Sequence, residues 1–571
     1  MKTSLAIAAA AQVRPITDVA ADLGIPAAFL EPYGQHKAKI DLRLLDTLAD
    51  RPLGRYVLVT SINPTPLGEG KTTTTIGLGM ALNKIGKRAT VALRQSSLGP
   101  VFGIKGGGAG GGYSQIVPLE ASILHLNGDI HAIGQAHNQI AALVESSLFH
   151  GNRLQIDPAR VAIRRVLDVN DRALRDVTVA QGTGVGNARA TGFDITVASE
   201  LMAILAMTNG TTALAALKDL RARIGRMVVA FDTNDRPITA DQIGAAGAAT
   251  VLLRETLKPN LMQTIEGTPA LIHAGPFANI AQGNSSILAD QIGLRLSEYV
   301  VTEAGFGADL GGEKFFNIKC RESGLWPNVA VVVATIRALK THAGMYTIVA
   351  GKPLPPELLR ENPDEVAAGA ANLRRHIENL RRFGVPVIVA LNAFPDDAAS
   401  EVAAVQRVAA DAGAVGTVVS HVFAAGGAGG IELAQMVVAV AEANLAPQPT
   451  LLYRADAPIR DKISTLATQI YGAAAVSYTA IADAAIDRFT AAGFGGLPIC
   501  MAKTHLSLSH DPALKGAPSG FTFPIRDIRV SAGAGFIYPL AGDIVTMPGL
   551  PKRPAAQNID IDEHGNTIGL Y

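Results

Sequence analysis

Apolar residues recur along this chain as short continuous runs separated by stretches of helical periodicity. The runs are rich in Val, Ile, Leu and Ala, and they lie at residues 56–62, 88–93, 226–231, 270–274, 299–302, 329–333, 385–391 and 415–422. Continuous apolar runs of this length are typical of parallel strands buried on both faces. Residues 14–50 read as amphipathic helix. The pattern predicts an α/β fold in which helices cover both faces of a mostly parallel sheet.

A glycine-rich turn joins the first apolar run to a helical stretch. The turn and the start of the helix contain Thr65, Pro66, Leu67, Gly68, Glu69, Gly70, Lys71 and Thr72. Strand, glycine-rich turn and helix make up the P-loop arrangement, in which backbone N–H groups and the helix N-terminus bind phosphate. In that interpretation Lys71 neutralises phosphate oxygens and Thr72 ligates Mg²⁺. Thr65 replaces the first glycine of the usual pattern, so an ordinary αβ turn is the alternative.

Other strand ends carry candidate chemistry, because ligands of a parallel sheet bind at its carboxyl edge. Arg94 follows the second run, where it could clamp an anion or form an ion pair on a loop. Glu303 and Asp309 could each complete a magnesium shell or cap a helix. Phe394 and Phe423 follow two later runs and could stack a flat heterocycle between them, or simply pack in the core.

A glycine run follows Arg94. Six of the seven residues at 106–112 are glycine, and Lys105 precedes them. The run is too short for a domain linker, so it predicts a mobile active-site loop whose bare backbone approaches a ligand, with Lys105 adding charge.

Composition limits the class of protein. The chain has 571 residues, of which 48% are hydrophobic and 17% charged, and this excludes a disordered chain. A net charge of +1 gives no electrostatic reason to expect nucleic acid or an anionic membrane as partner. The two cysteines cannot form a disulfide framework. Residues 1–12 read as a signal peptide or as an Ala-rich helical leader, and phosphate-loop chemistry favours a cytoplasmic protein.

Taken together, these segments resemble the formate–tetrahydrofolate ligase family over nearly the whole chain. The most specific segments are residues 65–72, 94–112, 197–202, 301–321 and 503–548. The resemblance implies a homotetramer that joins formate to tetrahydrofolate through formyl phosphate. It further implies ATP and Mg²⁺, and a monovalent cation such as K⁺ or NH₄⁺. The predicted P-loop NTPase-like sheet fits that expectation.

The resemblance also implies roles for individual residues. Lys71 and Arg94 would stabilise the transferred phosphoryl group and the formyl phosphate. Phe306, Leu497 and Pro498 are candidate walls of an adenine pocket.

The predicted folate site departs from the family pattern. Phe394 corresponds to the phenylalanine that stacks the pterin ring, whereas Phe423 and Ala425 stand where the family usually has Trp and Lys. Ser96 replaces a usual proline. A smaller ring and a missing cation would weaken folate binding, but neither change removes the residues predicted to bind phosphate.

Three domains are predicted. These are a nucleotide and formyl phosphate domain at 1–362, an α/β folate-binding domain at 363–464 and an α+β domain at 465–571. The rival functions are a P-loop ATPase that acts as a switch or delivers a metal, and a folate or nucleotide binding module without turnover.

Overall fold

A large mixed sheet forms the centre of the molecule. The computed structural model describes residues 2–104, 108–182, 186, 188–349 and 352–570. The strands of the central sheet are β1 (Leu30–Pro32), β2 (Ala38–Ile40), β3 (Arg55–Ser61), β4 (Ala89–Leu93), β5 (Gly110–Gly111), β6 (Ser114–Val117), β7 (Asn260–Thr264), β8 (Pro269–Ile272), β9 (Tyr299–Glu303), β10 (Val329–Ala334), β11 (Val387–Asn392) and β12 (Gly416–Ser420).

The strands are ordered β1-β2-β7-β8-β4-β9-β3-β10-β11-β12, and β6 joins β5 to β7. Every neighbouring pair from β8 to β12 is parallel. The pairs that involve β1, β2, β6 and β7 are antiparallel. The strand β3 therefore lies inside the parallel part, between β9 and β10, and the loops that follow these three strands meet at one edge.

Helices flank this sheet and the smaller sheets beside it. They are α1 (Ser4–Ala9), α2 (Ile16–Leu23), α3 (Leu44–Leu48), α4 (Lys71–Lys84), α5 (Leu98–Gly103), α6 (Leu119–Ile123), α7 (Asp129–Phe149), α8 (Glu200–Met207), α9 (Ala213–Arg226), α10 (Ala246–Leu253), α11 (Ile287–Leu296), α12 (Arg321–Ser323), α13 (Ile336–His342), α14 (Pro363–Gly369), α15 (Ala371–Arg381), α16 (Ala399–Asp411), α17 (Val422–Ala425), α18 (Ile431–Ala443), α19 (Ile459–Leu466) and α20 (Ala480–Ala491). The mostly parallel α/β fold is thus confirmed.

Smaller sheets lie outside the central one. Val228–Asp232 pairs antiparallel with Ile156–Val161 and Pro237–Thr239, so one of the eight predicted runs is a strand of a separate sheet. In the C-terminal part, Ala475–Tyr478 pairs with Thr522–Ile525, and Asp527–Ser531 pairs with Phe536–Leu540. Further short pairs join Val177–Val179 to Arg189–Thr191, Arg165–Val166 to Phe193–Asp194, and Asp560–Ile561 to Thr567–Ile568.

The prediction of helix throughout residues 14–50 was wrong. Two helices, α2 and α3, lie there, but the short antiparallel strands β1 and β2 come between them. Lys39 of β2 is 1% exposed, and its ammonium group lies 2.7 Å from the Asp129 carboxylate. Because the Asp129 carboxylate neutralises its charge, Lys39 can occupy a position in the core. The pattern of hydrophobic residues in the sequence predicts that a lysine is exposed to solvent.

The predicted domain boundary at residue 363 lies at the start of α14, between β10 and β11, which are neighbouring strands of the central sheet. The strands β11 and β12, predicted to belong to a separate folate-binding unit, hydrogen-bond in register with β10. The three-domain division stays a prediction.

Within the described residues, one helical stretch has the length and apolar composition of a membrane span. It covers Val422–Ala443. Leu433, Val437 and Ala441 on this stretch are buried in the hydrophobic core beside β12. A core helix passes the same test of length and composition.

Candidate active site

The 65–72 loop links β3 to α4, as the sequence predicted. Gly68 and Gly70 adopt φ values of +73° and +80°, which favour glycine. A Cβ atom on Gly70 would lie 2.4 Å from the side-chain nitrogen of Asn392. Glu69 is 2% exposed, and its Oε1 accepts hydrogen bonds from the backbone N–H of Thr65 (2.7 Å) and its hydroxyl (3.1 Å). The glutamate side chain thereby fixes the start of the loop, where the usual pattern has a glycine.

Lys71 and Thr72, the two residues of this loop with predicted roles, contact neighbouring strand ends. Lys71 Nζ donates to the hydroxyl of Ser61, the last residue of β3, at 3.3 Å. The Thr72 hydroxyl donates to Glu303 Oε2 at 2.7 Å, and Glu303 is the last residue of β9. Loop, β3 and β9 therefore present an ammonium group, a hydroxyl and a carboxylate at the carboxyl edge of the sheet.

Arg94 belongs to the same cluster. Its Nη2 lies 4.0 Å from Glu303 Oε1, and its Nη1 donates to the Pro276 carbonyl at 3.2 Å. The Arg94 side chain is 24% exposed, and burial lowers the pKa of its guanidinium without removing the charge. The structure thus brings Thr72 and Arg94 to opposite oxygens of one carboxylate.

Glu303 and Asp309, the two alternatives for the magnesium shell, have different surroundings. The side chain of Glu303 lies against the Thr72 hydroxyl, so two oxygen donors of the kind that Mg²⁺ prefers are adjacent. Asp309 is fully buried and lies 2.6 Å from Lys503 Nζ. Burial by itself raises the pKa of Asp309, but the Lys503 ammonium, His376 and the hydrogen bond from Asn63 together outweigh burial, and the pKa is lowered. In the described part of the chain, no three His, Cys, Asp or Glu side chains form a complete metal site.

Asn63 connects the 65–72 loop to distant segments, a role that the sequence analysis missed. Its side-chain amide donates to Asp309 Oδ1 at 3.0 Å and accepts from Asn372 Nδ2 at 2.8 Å. The backbone carbonyl of Asn63 is 2.9 Å from His342 Nε2. Burial lowers the pKa of His342 to about 4, so its ring is neutral near pH 7.

Several buried amides near Arg94 were also missed. Both polar atoms of Gln95 and of Gln282 are buried without a hydrogen-bond partner, as is Oδ1 of Asn284. Such groups cost free energy unless water or a ligand satisfies them. All three lie directly after β4 or in the loop between β8 and α11, so their position after strands was the available sequence signal.

The predicted adenine residues occupy different surroundings. Phe306 has φ +59°, its ring stacks on His505 with centroids 4.4 Å apart, and its carbonyl accepts from the Ser61 hydroxyl at 3.2 Å. Leu497 and Pro498 instead line a cavity of about 370 Å³ that Phe306 does not border. Their shared adenine role stays a prediction.

Phe394 and Phe423 follow adjacent strands, because Asn392 of β11 pairs with Ser420 of β12. The Arg337 guanidinium lies over the ring of the half-buried Phe394, 3.8 Å from its centroid. Phe423 is 42% exposed, and its carbonyl accepts from the Tyr113 N–H at 2.9 Å.

The described end of the glycine run packs against Phe423. A Cβ atom on Gly112 would lie 2.2 Å from the Phe423 carbonyl oxygen, so a side chain does not fit there. Gly110 and Gly111 pair with Gln115 and Ser114. The predicted contribution of Lys105 lies outside the described residues.

Fold and site together define an α/β protein. Cationic, glycine-rich and aromatic segments follow neighbouring strands and lie at the carboxyl edge of the central sheet. That is the class of α/β proteins that bind their ligands at the carboxyl ends of parallel strands.

The chain belongs to the formate–tetrahydrofolate ligase family, because the family model described as "Formate--tetrahydrofolate ligase" matches residues 2–571. Relatives named "Formate--tetrahydrofolate ligase" are similar over the full length. The protein of Chloroflexus aurantiacus is 68% identical over 573 residues, and that of Herpetosiphon aurantiacus is 62% identical over 572 residues, with all of both chains covered. The protein of Saccharopolyspora erythraea is 56% identical over 572 residues, covering all of this chain and 99% of the relative.

Proposed function

We propose that this protein ligates formate to tetrahydrofolate at the expense of ATP, giving 10-formyltetrahydrofolate, ADP and phosphate. The observation that carries this proposal is the family match over residues 2–571. A formate oxygen attacks the γ-phosphorus of ATP, and the bond to the ADP oxygen breaks. N10 of the folate then attacks the formyl carbon, phosphate leaves, and the N10 proton is released.

Activation by phosphorylation is chemically required. The carboxylate of formate is resonance-stabilised and its oxide is a poor leaving group, so an amine cannot displace it directly. Transfer of a phosphoryl group needs positive groups aimed at its oxygens rather than a protein nucleophile. The contacts Lys71–Ser61 and Thr72–Glu303–Arg94 support that assignment, because they hold two cations close to one strand edge.

Lys71 and Arg94 are assigned to the phosphoryl oxygens and to formyl phosphate. Backbone N–H groups of the 65–72 loop are assigned to the phosphate chain of ATP. Thr72 and Glu303 would hold Mg²⁺, whose charge neutralises phosphate oxygens when it is bound. A monovalent cation, K⁺ or NH₄⁺, is part of the proposal through family membership alone, and no residue is assigned to it.

The folate ring is assigned to Phe394 and Phe423 on the neighbouring strand ends. The adjacency of β11 and β12 supports this, because it places both rings after paired residues. Phe423 has a smaller ring than tryptophan, so we expect weak folate binding. A cytoplasmic homotetramer is also proposed.

One assay tests the function: ADP release with and without formate and tetrahydrofolate. A ligase releases ADP in proportion to the 10-formyltetrahydrofolate formed, and needs both co-substrates for sustained turnover. ATP hydrolysis that is independent of formate would indicate a P-loop ATPase switch instead. A protein that binds folate or nucleotide but releases no ADP would be a binding module.

A further inference from the structure

The stacking surface of Phe394 is built by a second residue, Arg337 of α13. The guanidinium carbon of Arg337 lies 3.8 Å from the centroid of the Phe394 ring, which is a face-to-face contact distance. The same guanidinium bridges both carboxylate oxygens of Asp396, with Nη2 at 2.7 and 3.0 Å. A planar cation held on its edge by a carboxylate is a rigid partner for an aromatic face.

The segment that carries Phe394 is fixed at three points. The Phe394 N–H donates to Asp397 Oδ2 at 2.8 Å, Arg337 holds Asp396, and Lys340 lies 2.5 Å from Glu401. Lys340 and Glu401 are both nearly fully buried. The helix α13 therefore grips the 394–401 segment through two ion pairs that lie one helical turn apart.

Occupation of one ring face has a direct consequence. A flat ligand can stack only on the face of Phe394 that Arg337 does not cover. Without the guanidinium, the phenyl ring can rotate about its side-chain bonds, and ordering it on binding would then cost conformational entropy.

We propose that Arg337 is a positioning residue for folate: its guanidinium covers one face of Phe394 and holds the ring in the orientation that stacks the pterin. This inference rests on the proposed function, since it takes Phe394 as the folate-stacking ring. Arg337 acts through Phe394 and does not touch the substrate.

The test is steady-state kinetics of Arg337→Met and Arg337→Lys in the full-length protein. Methionine keeps the length of the side chain without charge or planarity, and lysine keeps the charge without planarity. A cation–π contact of this kind corresponds to about a three- to tenfold rise in the KM for tetrahydrofolate in both variants. The kcat and the KM for ATP and formate should stay within about twofold.

The chain offers a matched control. Arg460 lies 4.6 Å over the ring of Tyr478 and 2.7 Å from Asp483, so it forms the same triad of cation, ring and carboxylate outside the candidate site. Arg460→Met removes equivalent contacts, and we expect it to leave the KM for tetrahydrofolate unchanged. If Arg460→Met raises that KM as much as Arg337→Met does, the effect is one of stability and the inference is overturned.

A double-mutant cycle separates this inference from the proposed function. Phe394→Ala alone should raise the KM for tetrahydrofolate, and Arg337→Met should add nothing to it in the double variant. An unchanged KM in Phe394→Ala would overturn the stacking assignment itself. A raised KM in Phe394→Ala with normal kinetics in both Arg337 variants would overturn only the inference. Additive effects, or a KM change that depends on the number of glutamates in the folate tail, would mean that Arg337 binds folate directly, which also overturns it.

Discussion

Arg94 is the residue whose removal tests the proposed phosphoryl chemistry most sharply. At an effective dielectric constant of about 20, two unit charges about 4 Å apart interact by roughly 4 kcal/mol. Glu303 already lies 4.0 Å from the guanidinium and offsets part of that interaction. Loss of a single preorganised electrostatic contact typically costs about 2.7–4 kcal/mol in the transition state. We therefore expect Arg94→Gln to lower kcat by about 10²–10³-fold.

The assay is the formation of 10-formyltetrahydrofolate from ATP, formate and tetrahydrofolate, with ADP release measured in parallel. Arg295 provides the control, because it is also partly buried, donates Nη1 to one carbonyl (that of Gln291, 3.1 Å) and has an unpartnered Nε. It lies at the end of α11, before β9 begins, and so at the opposite edge of the sheet. Arg295→Gln should retain activity within about twofold. A loss of less than tenfold in Arg94→Gln, or an equal loss in Arg295→Gln, would refute the electrostatic reasoning.

Three further predictions follow from the same region. Lys71→Ala should abolish synthesis, because the ammonium group next to Ser61 is lost, while circular dichroism shows an unchanged fold; near-normal turnover would contradict the assigned role. Asp309→Asn should lower the free energy of unfolding, measured by urea denaturation, by about 3–5 kcal/mol, because it leaves the Lys503 ammonium buried without its carboxylate partner. A decrease below about 1 kcal/mol would show that the Asp309–Lys503 pair does not stabilise the fold. Burial lowers the pKa of His376 from 6.5 to about 4, so the unfolded chain binds the proton first and stability should fall as the pH drops from about 6.5 to about 4. His376→Gln should make the unfolding free energy less dependent on pH across that window, as followed by thermal melts, and an unaltered slope would exclude His376 as its source.

The parallel part of the sheet was predictable because burial on both faces leaves a continuous apolar run. The run at 329–333 corresponds to β10, and the run at 385–391 corresponds to β11 with an offset of one or two residues. Antiparallel β7 was missed, since its sequence Asn-Leu-Met-Gln-Thr mixes polar and apolar residues that are all buried. Asn260 donates to Asp129 at 2.6 Å, and that partner is 131 positions away in sequence. A local window cannot show that such a polar residue is satisfied in the core.

The residues of the candidate site likewise fall into two groups, those that a local sequence pattern predicts and those that depend on contacts distant in sequence. The positions of Lys71, Thr72 and Arg94 were predictable, because strand, turn and helix signals place the first two at the start of α4 and Arg94 directly after β4. What the sequence cannot show is how the 65–72 loop is held, since Asn392 donates to the Glu69 carbonyl at 3.2 Å from another strand. Arg337 was not predicted either, because the ring that it covers lies 57 positions later in sequence.

Asn392 also links the proposed folate and phosphate sites through one strand of the central sheet. It is the last residue of β11, two positions before Phe394, and its amide lies against Glu69 and the bare backbone of Gly70. Any shift of the β11 end that moves the stacking ring must therefore also move the turn before Lys71. In the proposed reaction, formyl phosphate forms at the phosphate site and is consumed at the folate site, so a strand end shared by both would hold the two sites at a constant distance.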